Sequence, residues 1–251
     1  MRRLKHVLSA AVLALLSACA LRPVALAPSA EVGISEGVLW YRGEIADVST
    51  LQRLLDLYEQ QELPPRLLRI DSQGGDVHLA LSFGEWIQSK GLDVEVAGQC
   101  ASACANYVFT AGQRKLLRPD SVLLWHGGAY QTTLEEDAVR RGESVHQALL
   151  AWREREQDFF ARAGIDPLIT VYGQLPVWAA PYRDGGYLGY DYSLDDLARF
   201  GVRGVEEIEG AWQPHLNKPE ARVLRIAVDS ELLERHRLAS PGTVDSIPQQ
   251  Q

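Results

Sequence analysis

The sequence lacks a long hydrophobic run, an excess of positive charge and a large set of cysteines. Its N-terminal apolar run, Val7 to Leu16, is too short to cross a bilayer, which takes about 20 residues. Acidic residues outnumber basic ones by 33 to 25, for a formal charge of −8. This balance argues against nucleic acid and anionic lipid surfaces as partners. Cys100 and Cys104 have no histidine nearby, so we expect no zinc site, and no cofactor is indicated.

The first residues have the pattern of a secretory signal, because a basic stretch at residues 2–5 precedes the short apolar run. Residues 16–19, Leu-Ser-Ala-Cys, resemble the lipobox of bacterial lipoproteins. In that family cleavage precedes the cysteine, whose thiol then carries a diacylglycerol. We therefore expect a signal peptide over 1–18 and lipidation of Cys19. The alternative is an ordinary signal cleaved further on, for instance after Ala27.

The lipobox resemblance also predicts a location. Ala20 follows the cysteine where an inner-membrane retention signal would have Asp, which implies a periplasmic protein anchored to the outer membrane. Removal of 1–18 changes the formal charge from −8 to −11, so the membrane contact would be the lipid on Cys19 and not a basic patch. We divide the rest of the chain into a tether (19–36), a single domain (37–212), a C-terminal extension (213–238) and a disordered tail (239–251).

Strand-like and helix-like stretches alternate through the central domain, which predicts an α/β fold with a mainly parallel sheet. Three of the predicted strands end just before Gly74 and Gly75, before Ser102 and before His126. Parallel strands present their carboxyl ends at one edge, where ligands bind. We therefore expect these residues to share one crevice.

Each of these residues has a structural and a catalytic interpretation. Ser102 is either the N-cap of the apolar helix that follows it or a nucleophile, with the N–H of Ala103 stabilising an oxyanion. Gly74 and Gly75 are either a turn or a second source of oxyanion donors. His126 is either a strand-end residue or the base that a nucleophilic serine requires. Their convergence favours the catalytic interpretation.

Cys100 and Cys104 flank Ser102, and the compartment is oxidising. They can form a disulfide if Cys100 lies in the turn before the helix. Within one regular helix their Cβ vectors would run nearly parallel, and they would remain two buried thiols.

The stretches "RIDSQGGDV", "GQCASACANYVFTAGQRKLLRPDSVLLWHGG" and "LDDLARFGV" resemble the proteolytic subunit of the Clp protease (ClpP) and the wider ClpP/crotonase superfamily. The resemblance implies a β-β-α superhelix and peptide-bond hydrolysis through an acyl-enzyme. It assigns the nucleophile to Ser102, the base to His126, and the oxyanion donors to Gly74, Gly75 and Ala103.

The chain departs from this family where the catalytic aspartate is expected. Asp184 and Asp191 are the nearest carboxylates, and we predict Asp191 because it immediately precedes a capped helix. A relative of the same fold uses a serine–lysine dyad, but Lys115 lies in a basic loop and is interpreted as surface charge.

These observations predict a lipid-anchored periplasmic serine peptidase acting on peptides or unfolded proteins. The missing aspartate leaves open a non-catalytic lipoprotein that acts as a binding or scaffolding module. Esterase activity would use the same groups, whereas acyl-CoA chemistry would need a cofactor not expected outside the cytoplasm. The apolar stripe from Val145 to Ala163 either mediates a homo-oligomer, as in relatives, or covers the domain's own core.

Overall fold

A computed structural model describes residues 30–237, apart from the side chain of Arg183. The predicted signal peptide, Cys19 and the predicted tail from residue 239 lie outside this range. Among the described residues, no helix combines the length and apolar character needed to cross a membrane.

The described residues contain nine strands and eight α-helices. The strands are β1 (Glu31–Ser35), β2 (Val38–Arg42), β3 (Leu67–Ser72), β4 (Asp93–Ala101), β5 (Lys115–Leu117), β6 (Val122–Leu124), β7 (Gly189–Tyr192), β8 (Val205–Glu207) and β9 (Val223–Ile226). The helices are α1 (Val48–Glu59), α2 (Val77–Lys90), α3 (Thr132–Arg141), α4 (Glu143–Ala163), α5 (Pro176–Asp184), α6 (Leu194–Arg199), α7 (Pro214–Asn217) and α8 (Ser230–His236). A π-helix spans Cys104–Phe109, and 3₁₀ turns span Pro167–Thr170, Tyr172–Gln174 and Pro219–Ala221.

The main sheet has seven strands in the order β1-β2-β3-β4-β5-β8, with β6 paired to the C-terminal part of β4. Only the pairing of β1 with β2 is antiparallel. Strands β7 and β9 form a second, parallel pair, which an antiparallel bridge between Trp125 and Tyr190 links to the end of β6. The prediction of an α/β fold with a mainly parallel sheet is confirmed.

Helix α2 shows how local sequence fixes one layer of the fold. Asp76 caps its N-terminus by accepting a hydrogen bond from the N–H of Leu79, and Gly91 ends it in the left-handed conformation at φ 60°. A Cβ at Gly84 would lie 2.6 Å from the carbonyl oxygen of Tyr107 and 2.9 Å from the ring of Phe159. Glycine at this position therefore allows α2, the π-helix and α4 to approach closely.

Helix α4 contributes its apolar stripe to the core of its own chain. Leu149, Phe159 and Phe160 are buried, and both phenylalanine rings contact the ring of Tyr107. These residues of the stripe therefore cover the domain's own core, and assembly through this helix stays a prediction.

Two predicted boundaries differ from the structure. Residues 31–35, predicted as the end of the tether, form β1, because Val38–Arg42 offers this segment an edge for antiparallel pairing. Residues 213–237, predicted as an extension, supply β9 and α8 to the domain, and Ile226 and Leu233 lie in its core.

Candidate active site

The carboxyl ends of three parallel strands meet at one edge of the main sheet. Strands β3 and β6 pair with the C-terminal part of β4 on opposite sides. The segments that follow these strands bring together Gly74 and Gly75, Ser102 and His126, as predicted.

The side chains of Ser102 and His126 are hydrogen-bonded. The distance between Ser102 Oγ and His126 Nε2 is 2.6 Å, and His126 is open to solvent. The N-cap of the π-helix is Ala103, and no side chain caps this helix. The interpretation of Ser102 as a helix cap is therefore wrong, since its hydroxyl faces an imidazole and not the helix.

The backbone of Ser102 is in the left-handed region, at φ 58°. For a residue with a side chain this conformation costs about 1–3 kcal/mol, and such residues cluster at functional sites. The N–H of Ser102 donates to the carbonyl of Leu124 at 2.8 Å, and the carbonyl of Ser102 accepts from the N–H of Asn106 at 2.9 Å. A strained turn between a strand and a helix also carries the nucleophile of α/β-hydrolases.

A disulfide joins Cys100 and Cys104, so the chain takes the bridged form of the two alternatives. Their Cα atoms are 5.2 Å apart, and both residues are fully buried. Cys100 belongs to β4 and Cys104 begins the π-helix, and the left-handed residue between them separates their Cβ directions from those of a regular helix. The bridge closes a five-residue ring around Ser102.

Burial lowers the pKa of His126 below its ordinary value, because packed protein on one side of the ring disfavours the charged form. Among residues 30–237, no carboxylate contributes to this shift. The imidazole is therefore neutral near pH 7, which is the form that can accept a proton from Ser102.

The prediction that Asp191 orients His126 is wrong. Asp191 is fully buried, and its carboxylate accepts hydrogen bonds from Nε2 of His215 at 2.8 and 2.9 Å and from Nε and Nη2 of Arg225 at 2.6 and 3.0 Å. No hydrogen bond joins it to His126 in the described part of the chain. Asp184 lies exposed on α5 and does not shift the pKa of His126.

Strand register explains this result. The isolated antiparallel bridge pairs Trp125 with Tyr190, so Asp191 follows this pair on the side of Leu124 and not on the side of His126. Gly189, on the His126 side, has no side chain, and a Cβ there would overlap the side chain of Leu124. The register therefore separates the predicted aspartate from His126.

Gly74 and Gly75 form a tight loop beside Ser102. Both have positive φ, 91° and 147°, and a Cβ on Gly74 would lie 2.9 Å from Ser102 Cβ and 3.0 Å from the nitrogen of Ala103. The N–H of Gly74 donates to Oγ of Ser72 at 3.1 Å. The N–H groups of Gly75 and Ala103 have no acceptor within residues 30–237. These two are the donors available to an oxyanion.

Three residues that the sequence did not reveal hold the segment from His126 to Ala129, which we call the base loop. Gln174 Nε2 donates to the carbonyl of His126 at 2.6 Å, and Asn106 Nδ2 donates to the carbonyl of Gly127 at 2.9 Å. The carboxylate of Glu156 accepts from the N–H of Ala129 at 3.0 Å. The one available signal was Asn106, a polar residue in an apolar run.

Burial raises the pKa of Glu156 to about 7. This carboxylate is fully buried and also accepts a hydrogen bond from the hydroxyl of Tyr107 at 2.9 Å. Neighbouring charged residues in the sequence suggest a solvent-exposed helix face, so the sequence gives no sign that Glu156 is buried.

Lys115 is buried and is not the surface charge that we predicted. Its Nζ donates to the carbonyls of Gly112 at 2.6 Å and Arg203 at 3.0 Å, and burial lowers its pKa to about 8. It lines a cavity of about 740 Å³ whose walls include neither Ser102 nor His126. No group of three or more His, Cys, Asp or Glu side chains within residues 30–237 is arranged to hold a metal ion.

The chain matches no protein-family model and no curated protein sequence.

Proposed function

We propose that this protein is a serine peptidase of the ClpP-like type, within the ClpP/crotonase superfamily. The observation that carries the proposal is the 2.6 Å contact between Ser102 Oγ and His126 Nε2, made by a serine whose backbone is left-handed. A hydroxyl bonded to a neutral, solvent-accessible imidazole is the arrangement that nucleophilic catalysis needs. Parallel strands that end in the glycine pair, the serine and the histidine support the family assignment.

The reaction follows from these groups. Ser102 Oγ attacks the peptide carbonyl carbon while its proton moves to Nε2 of His126. The carbonyl oxygen gains the negative charge, which the N–H groups of Gly75 and Ala103 stabilise. The C–N bond then breaks, and His126 gives its proton to the departing amine. Water attacks the acyl-enzyme by the same steps and restores the free serine.

The sequence supports a lipid-anchored periplasmic location for this activity, with peptides or unfolded proteins as substrates. Cys19 would carry the lipid. Growth with a labelled fatty acid tests the anchor: label enters the wild type and is absent from Cys19→Ser.

Reaction with a fluorophosphonate probe tests the nucleophile. The wild type should be labelled, and Ser102→Ala should not. Ser82→Ala is the matched control, because Ser82 is an exposed serine on α2 and its loss should leave labelling unchanged. Equal labelling of the wild type and Ser102→Ala would overturn the assignment.

Hydrolysis of a fluorescent unfolded protein and of a small acyl ester separates a peptidase from an esterase. A peptidase cleaves both, since the same groups attack either carbonyl. Cleavage of the ester alone would limit the proposal to ester substrates.

A second candidate function is a binding or scaffolding module that keeps the fold without catalysis. The observation that favours it is that no carboxylate among residues 30–237 bonds His126, where a triad would supply one. A scaffold keeps its cellular role in His126→Ala, whereas a peptidase loses it.

A further inference from the structure

The candidate site contains a base with no acidic partner. In a serine–histidine–carboxylate triad the carboxylate bonds the imidazole and fixes its orientation. Here no carboxylate does so within residues 30–237, yet His126 lies 2.6 Å from Ser102.

We propose that Gln174 and Asn106 are positioning residues that replace the orienting carboxylate by holding the main chain of the base loop. This inference rests on the proposed function. Each residue donates an amide N–H to a carbonyl of the loop, at two successive peptide units. The two carbonyls belong to the peptide planes on either side of Gly127, so bonding both restricts the main chain that carries the imidazole.

Gln174 approaches from outside the loop. It is the last residue of the 3₁₀ turn Tyr172–Gln174, and its side chain reaches 48 residues back along the chain to the carbonyl of His126. At 2.6 Å this contact is slightly shorter than the usual range of about 2.7–3.2 Å for amide hydrogen bonds. Tyr172, in the same turn, is fully buried and holds the turn that carries the Gln174 amide.

Asn106 approaches from inside and connects both halves of the dyad. Its backbone N–H donates to the carbonyl of Ser102, and its side-chain amide donates to the carbonyl of Gly127, both at 2.9 Å. Asn106 is 2% exposed, and its Oδ1 is buried without a partner in the described residues. An unpaired buried acceptor is costly. Asn106 is nevertheless present at this position, where its side-chain amide bonds the base loop and its backbone N–H bonds the carbonyl of Ser102.

Anchoring through the main chain differs chemically from anchoring through a carboxylate. A carboxylate beside the imidazole would favour its charged form and raise its pKa, whereas two neutral amides leave burial as the dominant influence. The lowered pKa of His126 agrees with the second arrangement.

The test uses the full protein with Gln174→Ala and Asn106→Leu, the second of which keeps a similar volume, loses the amide donor and adds no charge near the imidazole. Gln88→Ala is the matched control, because Gln88 also donates its amide to a distant carbonyl, that of Phe159 at 3.3 Å. Two quantities are measured: the rate of fluorophosphonate labelling against pH, and the titration of the His126 imidazole by NMR.

We expect both variants to lose about 10²-fold in labelling rate, the scale of a displacement of about 1 Å at a reacting group. The midpoint of the His126 titration should move up toward its ordinary value, because a released ring leaves its packed surroundings. A loss of stability alone would lower the labelled fraction and leave the midpoint unchanged. Gln88→Ala should alter neither quantity.

The outcomes separate this inference from the proposed function. A wild type that is labelled, together with variants of unchanged rate and midpoint, would overturn the positioning role alone. A wild type that is not labelled would overturn the peptidase, and the NMR midpoints would still decide whether the two amides hold the imidazole. If Asn106→Leu fails to fold, Gln174→Ala still tests the inference, because Gln174 is only half-buried.

Discussion

The left-handed backbone of Ser102 predicts which of two variants, glycine or alanine, has the larger free energy of unfolding. We compare Ser102→Gly with Ser102→Ala. Both variants lack the hydroxyl and therefore its bond to His126. They differ only in the Cβ, which the alanine variant must keep at φ 58°.

The magnitude follows from two opposing effects. A left-handed conformation costs an L-residue roughly 1–2 kcal/mol and costs glycine almost nothing. Glycine, however, loses more conformational entropy on folding, by roughly 0.5–1 kcal/mol. The glycine variant should therefore be more stable than the alanine variant, by about 0.5–1 kcal/mol. At Ser82, in the middle of α2, the order should reverse, with glycine less stable by about 1 kcal/mol.

Urea unfolding followed by circular dichroism measures the four free energies of unfolding. The reversal of sign between positions 102 and 82 is the expected result. If Ser102→Gly is less stable than Ser102→Ala, Ser102 does not adopt the left-handed turn in solution. The geometric basis of the nucleophile assignment would then be lost.

Three further predictions concern the surroundings of the site. The double variant Cys100→Ala/Cys104→Ala should lose about 2 kcal/mol of unfolding free energy, the value for a five-residue ring, and calorimetry would show a Tm lower by roughly 4–8 °C. Gly74→Ala should strongly lower the rate of fluorophosphonate labelling, since its Cβ would lie 2.5 Å from the carbonyl oxygen of Ala101 and 3.0 Å from the nitrogen of Ala103 and would force this loop to shift; unchanged labelling would refute this oxyanion geometry. Because burial raises the pKa of Glu156 from 4.5 to about 7, the folded state binds this proton more tightly, and stability should rise by about 3 kcal/mol as pH falls from 7 to 4.5. Glu156→Gln should remove that rise in urea titrations at several pH values, and an equal rise in the variant would contradict the burial argument.

The sequence predicted the contact that matters most at the site. Alternating strands and helices imply parallel pairing, and parallel pairing brings the ends of strands to one edge whatever their separation along the chain. Ser102 and His126 are 24 residues apart, and this topological rule was enough to place them together.

The orienting group could not be predicted in the same way. Whether Asp191 lies on the side of His126 or of Leu124 depends on the register of the one bridge between Trp125 and Tyr190. The Asp191 carboxylate also accepts a hydrogen bond from Arg225, 34 residues later in the sequence. The pairing of β9 with β7 brings these two residues together. No local pattern contains that information.

The left-handed turn at Ser102 could not be predicted from the sequence either. Serine rarely adopts positive φ, so a local sequence pattern favours the helix cap; the position of Ser102 Oγ beside His126, which excludes the cap, depends on the folded chain. The base-loop anchors were missed because an amide that bonds a main-chain carbonyl leaves no motif.

If Cys19 carries a lipid, the early start of β1 would limit how far the domain can move from the membrane. Its first residue, Glu31, is fixed in the main sheet only 12 residues after Cys19. A fully extended leash of that length reaches about 40 Å. A lipid on Cys19 would therefore confine the serine to a thin shell above the bilayer, so that polypeptides emerging at the membrane surface would meet it before those diffusing through the rest of the compartment.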